Sequence, residues 1–105
     1  LKKLYTMTIN VQYVKMLTSE TMTDYVTKKL NKLGDKFDFV INANVYFKSE
    51  NDPKGDGHIC EIDLSIPGPK VFASSKEKNF ELAAKNSIKD LTKQLEKRKA
   101  TFKNH

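Results

Sequence analysis

Hydrophobic positions change their period along this chain, and each change marks out an element. From Thr8 to Val14 apolar and polar residues alternate, with Ile9, Val11 and Tyr13 on one side, which predicts a strand. The period then lengthens to 3.6 residues. Met22, Val26, Leu30, Leu33 and Phe37 form one helical stripe, Thr18 and Ser19 offer N-caps, and Gly34 is expected to weaken or end the helix. Alternation returns over residues 41–48 through Ala43, Val45 and Phe47. The polar cluster SENDPKGDG, residues 49–57, reads as a turn. From His58 to Ile66, His58, Cys60, Ile62, Leu64 and Ile66 share one face, and Ile59, Glu61, Asp63 and Ser65 share a wetter one. Pro67-Gly68-Pro69 forces a second turn before a short strand, residues 70–75, through Val71 and Ala73. A long helix is expected from about Lys78, with Phe80, Ala84, Ile88, Leu91, Leu95 and Phe102 within about 80° of arc.

The order is β-α-β-β-β-α, without repeats or linkers. A helix between the first two strands predicts a parallel crossover, and the later turns predict antiparallel hairpins. The fold class expected is α+β: a two-layer sandwich, a four-stranded sheet with both helices on one face and water on the other. A length of 105 residues supports one domain, read as residues 7–101. Leu1 to Thr6 reads as an extension ahead of Met7, and residues 102–105 as a short tail. No apolar run is long enough to span a bilayer, and no secretory leader opens the chain. With a single cysteine, Cys60, this points to a soluble protein of a reducing cytoplasm.

Charge sharpens the picture. The net charge is +6, and residues 80–105 hold seven basic side chains against three acidic ones, while residues 38–79 hold five against seven. Lys85, Lys89, Lys93 and Lys97 recur every fourth position, roughly opposite the apolar stripe of the last helix. Lys28, Lys32 and Lys36 repeat that spacing on the first helix, with Lys29 at its margin. Segregation of this kind suits an anionic partner, and a helix face made basic for solubility is the plain alternative. Lysines about 6 Å apart along a helix can address successive phosphates as point charges. Eighteen lysines against one arginine favour backbone and shape contacts over bidentate base reading, which fits RNA better than a DNA code. Membrane binding is disfavoured because the apolar stripe is needed to cover the sheet.

Catalytic signals are poor. His58 and Cys60 lie two apart on the apolar side of one strand, where side chains stack in parallel and do not converge on a proton. His58 therefore reads as structural and Cys60 as a small core residue, while His105 ends the chain. One cysteine and two histidines make no zinc site. In Asp52-Pro-Lys-Gly-Asp-Gly57, Lys54 occupies a place where a calcium loop needs an oxygen ligand. No phosphate cradle, dinucleotide fingerprint or RNA-binding strand signature is present. The chain is expected to be no enzyme, with no cofactor, metal or small-molecule substrate.

Several stretches, in order, resemble the ribosome hibernation-promoting factor family, also called ribosome-associated inhibitor A or sigma-54 modulation proteins. They are the opening strand, the helix Met22-Thr-Asp-Tyr-Val-Thr-Lys-Lys-Leu-Asn-Lys-Leu, the Ile66-Pro-Gly turn, Phe72-Ala-Ser, and Ile88-Lys-Asp-Leu-Thr-Lys-Gln-Leu-Glu-Lys-Arg-Lys99. The resemblance runs from about Met7 to Thr101. It implies a fold like a double-stranded-RNA-binding domain, seated on 16S-type RNA of the small ribosomal subunit over the messenger and transfer RNA sites. Translation would thereby be silenced in starvation or stationary phase, by a protein monomeric off the ribosome. Lys29 and Lys32 on the first helix, and Lys93, Lys97 and Lys99 on the second, match basic positions of the family. Arg98 completes the candidate RNA-binding set. The family's acidic-then-basic pair before Leu91 is reversed here as Lys89-Asp90, which moves or removes one phosphate contact. The chain stops soon after the second helix, so it resembles the family's short form. A generic double-stranded-RNA-binding module acting away from the ribosome, and an adaptor for an acidic protein, are the alternatives.

Overall fold

In the computed structural model, which describes residues 7–102, the six expected elements follow in the expected order. They are β1 (Thr8–Tyr13), α1 (Glu20–Lys36), β2 (Asn42–Ser49), β3 (His58–Ser65), β4 (Val71–Glu77) and α2 (Phe80–Phe102). β1 pairs with β2 in parallel, Val11 opposite Val45 and Tyr13 opposite Phe47, with α1 as the crossover. β3 and β4 add antiparallel, so the strands lie in the order β1-β2-β3-β4. Ser19 caps α1 by accepting from the Met22 N–H at 3.2 Å. Asn79 does the same for α2, its Oδ1 accepting from the Leu82 N–H at 2.8 Å.

Alternation along each strand sends Ala43, Val45, Phe47, Cys60, Ile62, Leu64, Val71 and Ala73 to one buried face. Val26, Leu30 and Leu33 of α1, and Ala83, Ala84, Leu91 and Leu95 of α2, cover that face. Burying each larger aliphatic side chain contributes roughly 1.5–3 kcal/mol, so the helices are held chiefly by this layer. The other face carries Asn10, Gln12, Asn44, Tyr46, Glu61, Asp63, Phe72 and Ser74, each exposed or half-buried. Across it Asn10 Nδ2 donates to Asn44 Oδ1 at 3.3 Å, and Asn44 Nδ2 to Asp63 Oδ1 at 3.1 Å. The two-layer α+β expectation holds.

Three local readings change. Gly34 does not end α1: the helix runs on to Lys36 with Gly34 buried inside it. β4 continues past residue 75 to Glu77, its end tied to the β2–β3 turn by Lys76 Nζ, 2.9 Å from Glu50 Oε2 and 3.3 Å from Asp52 Oδ2. The buried side of α2 centres on Ala83, Ala84 and Ser87, displaced from the Phe80–Ile88–Phe102 stripe, and Phe102 stays 38% exposed. The helix runs through Phe102. The expected extension, the rest of the tail and His105 lie outside the described residues.

His58 meets the Phe80 ring edge-on at 4.8 Å, a packing contact. Cys60 is buried, and its thiol pKa is pushed up to about 12, first by desolvation and then by the nearby Glu61 charge. A thiol held protonated in this way is no nucleophile.

Candidate nucleic-acid interface

The sheet dictates how the two helices run. α1 returns from β1 to the start of the parallel β2, and α2 returns along β4, which is itself parallel to β2. The two helices therefore lie parallel on one face. Contacts at both ends agree: near the start of the pair, the Glu81 charge acts on Tyr25, and near its end Lys36 Nζ lies 3.4 Å from Glu96 Oε2. Burial first, and Glu81 second, raise the Tyr25 phenol above its ordinary value.

Lys28, Lys29, Lys32 and Lys36 are all exposed on α1, and Lys85, Lys89, Lys93, Lys97 and Lys99 on α2. At about 100° per residue, each step of four advances the α2 column by about 40°, so it winds across the outer surface. Lys85 falls on the side of Glu81, toward α1, while Lys97 shares a groove with Val71 at the β4 edge. The α2 column thus starts on the side of α1 at Lys85 and leaves it for the β4 edge at Lys97. Lys48, by contrast, is paired on the sheet side, its Nζ 3.0 Å from Glu61 Oε2.

Several of these cations are positioned by neighbours that composition alone does not reveal. Lys29 Nζ sits 5.6 Å from the Tyr25 ring centroid, and Lys36 and Lys99 sit 5.3 and 5.9 Å from that of Phe37. Arg98 is drawn toward the protein: its Nη1 donates to the carbonyls of Pro67 at 3.2 Å and Pro69 at 3.0 Å, bracing the β3–β4 turn. Asp24 and Asp35 share a shallow groove on α1 with Lys28, Asn31 and Lys32, so the charge on that flank is mixed. The basic excess therefore lies chiefly on α2. The i, i+3 and i+4 positions around Lys28 and Lys32 carry the signal for those carboxylates, which a count of lysines passes over.

This surface can bind a polyanion through backbone phosphates. Among the described residues no group of three or more His, Cys, Asp or Glu could hold a metal ion. Nor is any helix there long and apolar enough to cross a membrane.

Residues 9–103 match the sequence profile described as sigma 54 modulation protein / S30EA ribosomal protein. The chain belongs to that family. Among its relatives is the ribosome hibernation promoting factor of Klebsiella oxytoca, 27% identical over 99 residues, covering 94% of this chain and 100% of the relative. A protein of the same name from Pseudomonas putida is 28% identical over 93 residues, covering 89% and 87%. Family names of this kind describe a ribosome-associated factor, not an enzyme. Two solved structures share this fold. A ribosomal subunit interface protein from Coxiella burnetii superposes with a TM-score of 0.78 at 21% identity, covering 88% of this chain and 97% of that one. The N-terminal domain of Thermus thermophilus Protein Y gives 0.72 at 20% identity, covering 89% and 98%.

Proposed function

We propose that this protein is a ribosome hibernation factor that docks on small-subunit RNA through the outer faces of α1 and α2. Bound there, over the messenger and transfer RNA sites, it keeps translation silent in starvation or stationary phase. The observation that carries the reading is the parallel pair of lysine-bearing helices, side by side on one face of an S30EA-family chain. The names of the Klebsiella and Pseudomonas relatives support it. Lys28, Lys29, Lys32 and Lys36 of α1, with Lys85, Lys89, Lys93, Lys97 and Lys99 of α2, are the phosphate contacts. Arg98 contributes through donors not spent on the β3–β4 turn. The protein works in the cytoplasm as a monomer off the ribosome, by occupancy and without catalysis.

Co-sedimentation with ribosomes at moderate salt tests this. The protein is expected to travel with the small subunit and with intact ribosomes, and to inhibit translation in a cell-free system. Absence from both fractions overturns the proposal. Equal affinity for bare duplex RNA would favour a general double-stranded-RNA module.

A further inference from the structure

Where α1 and α2 end together, the surface changes from lysine alone to lysine over aromatic rings. Phe37, just past α1, is only 1% exposed, yet the Lys36 and Lys99 ammonium groups both lie within 6 Å of its centroid, at 5.3 and 5.9 Å. Phe39 meets Phe37 edge-on at 6.0 Å, and Phe102 meets Phe39 edge-on at 5.0 Å. The three rings thus run outward from the core, ending in Phe102 at 38% exposure. Beside them lies an open cleft of about 240 Å³, lined by Lys36, Phe37, Glu96, Lys99 and Ala100.

We infer that this cleft holds the phosphate of one unpaired nucleotide of an RNA strand between Lys36 and Lys99, while its base lies outside the cleft lining, against Phe102. The inference deepens the RNA-binding reading above and rests on it. An aromatic face beside a cation is the combination that binds single strands, because every unpaired base offers a π-face that a duplex keeps stacked. Two ammonium groups each drawn to one ring are also partly ordered before any ligand arrives, which lowers the cost of fixing them. The cleft is smaller than the roughly 300–1,000 Å³ of ordinary ligand pockets, which suits part of a nucleotide and not a folded strand.

Glu96 bears on the choice of ligand. Its carboxylate pairs with Lys36 at 3.4 Å, and both side chains are more than half exposed, so the pair is weak and can open. It leaves the cleft too little positive charge for clustered phosphates, and supplies an acceptor for the N–H edge of a base. Among the described residues no lysine from Lys85 to Lys97 lies over an aromatic ring, and the even spacing of that column fits the regular phosphates of a duplex. The two parts of the surface thus address different states of RNA.

Anisotropy titrations of the full chain, with an unstructured oligoribonucleotide and a duplex of equal length at one fixed salt, test this. Phe102→Leu keeps an apolar contact with Phe39 but removes the aromatic face. It is expected to weaken unpaired binding about 10-fold, in line with the stacking contribution per base, and to change duplex affinity less than about two-fold. Lys99→Gln should act in the same direction, while Lys85→Ala with Lys89→Ala should weaken both RNAs. If Phe102→Leu and Lys99→Gln match the parent on unpaired RNA while the double lysine variant weakens both, the cleft assignment falls and RNA binding stands. If the parent chain binds neither RNA, the cleft assignment falls, and the ribosome docking reading stands or falls by co-sedimentation. A parent dimer that Phe102→Leu converts to monomer would make the rings a self-association contact and overturn the assignment.

Discussion

Ser87, midway along α2, donates its hydroxyl to the backbone carbonyl of Cys60 on β3 at 2.7 Å. Both residues are fully buried, so this bond ties helix to sheet where water cannot substitute. Ser87→Ala is expected to destabilise by about 1 kcal/mol, and Ser87→Val by more, since it adds bulk as well as losing the bond. Thermal unfolding checks this, at roughly 4–8 °C per kcal/mol for a domain of this size.

The β2–β3 turn contains two glycines with opposite requirements. Gly55 has φ of +78° with nothing near a Cβ, so Gly55→Ala costs roughly the 1–2 kcal/mol of a left-handed residue. At Gly57 a Cβ would collide with the backbone carbonyl oxygen of Glu50, whose N–H donates to the Gly57 carbonyl at 2.9 Å. Gly57→Ala should therefore be the more damaging of the two, because only backbone movement relieves the clash. Denaturant midpoints of the two variants test that order.

Cys60 should be inert in the folded chain. With a thiol pKa of about 12, it resists alkylation near pH 8 and reacts only on unfolding. The linkage has a definite sign. A raised folded value leaves stability intact below the unfolded thiol pKa, near 8.5, and removes it as pH rises toward the folded value. Cys60→Ala should flatten that alkaline loss; iodoacetamide labelling and unfolding from pH 8 to 11 measure both effects.

Phosphate binding has a salt signature. Replacing Lys89, Lys93 and Lys97 by Ala should reduce the log–log salt slope of RNA or ribosome binding by roughly one unit for each phosphate left without its lysine. Lys76→Ala is the control, since Lys76 is already paired with Glu50 and Asp52 at the sheet end of the molecule. An unchanged slope in the triple variant would mean that the column neutralises no phosphates.

The elements are legible wherever large apolar residues keep a period: Val45 and Phe47, Ile62 and Leu64, Leu91 and Leu95 all fall where alternation or helical spacing puts them. Small residues hide the rest. Ala83 and Ser87 carry little hydrophobic signal, so the apolar pattern sets the buried side of α2 off-centre although both are fully enclosed. Lys76 and Glu77 lie past the expected end of the strand, yet they pair with Ile59 and His58, because an edge strand with one wet face tolerates polar residues. The lysine positions are plain from spacing. What each one touches is not, since the Pro67 and Pro69 carbonyls that engage Arg98 are some thirty residues away and meet it only once the sheet forms.

The β1–β2 pairing has a consequence for how the chain assembles and comes apart. β2, β3 and β4 are joined through short turns, residues 50–57 and 66–70, so their contacts close small loops. β1 reaches its partner only across residues 14–41, with the whole of α1 in between, and has one neighbouring strand instead of two. Loop-closure entropy and contact order both make that pairing the slower one to form. The hairpins and α2 are thus expected to form the early folding unit, with β1 docking last and leaving first when the protein is pulled or partly unfolded.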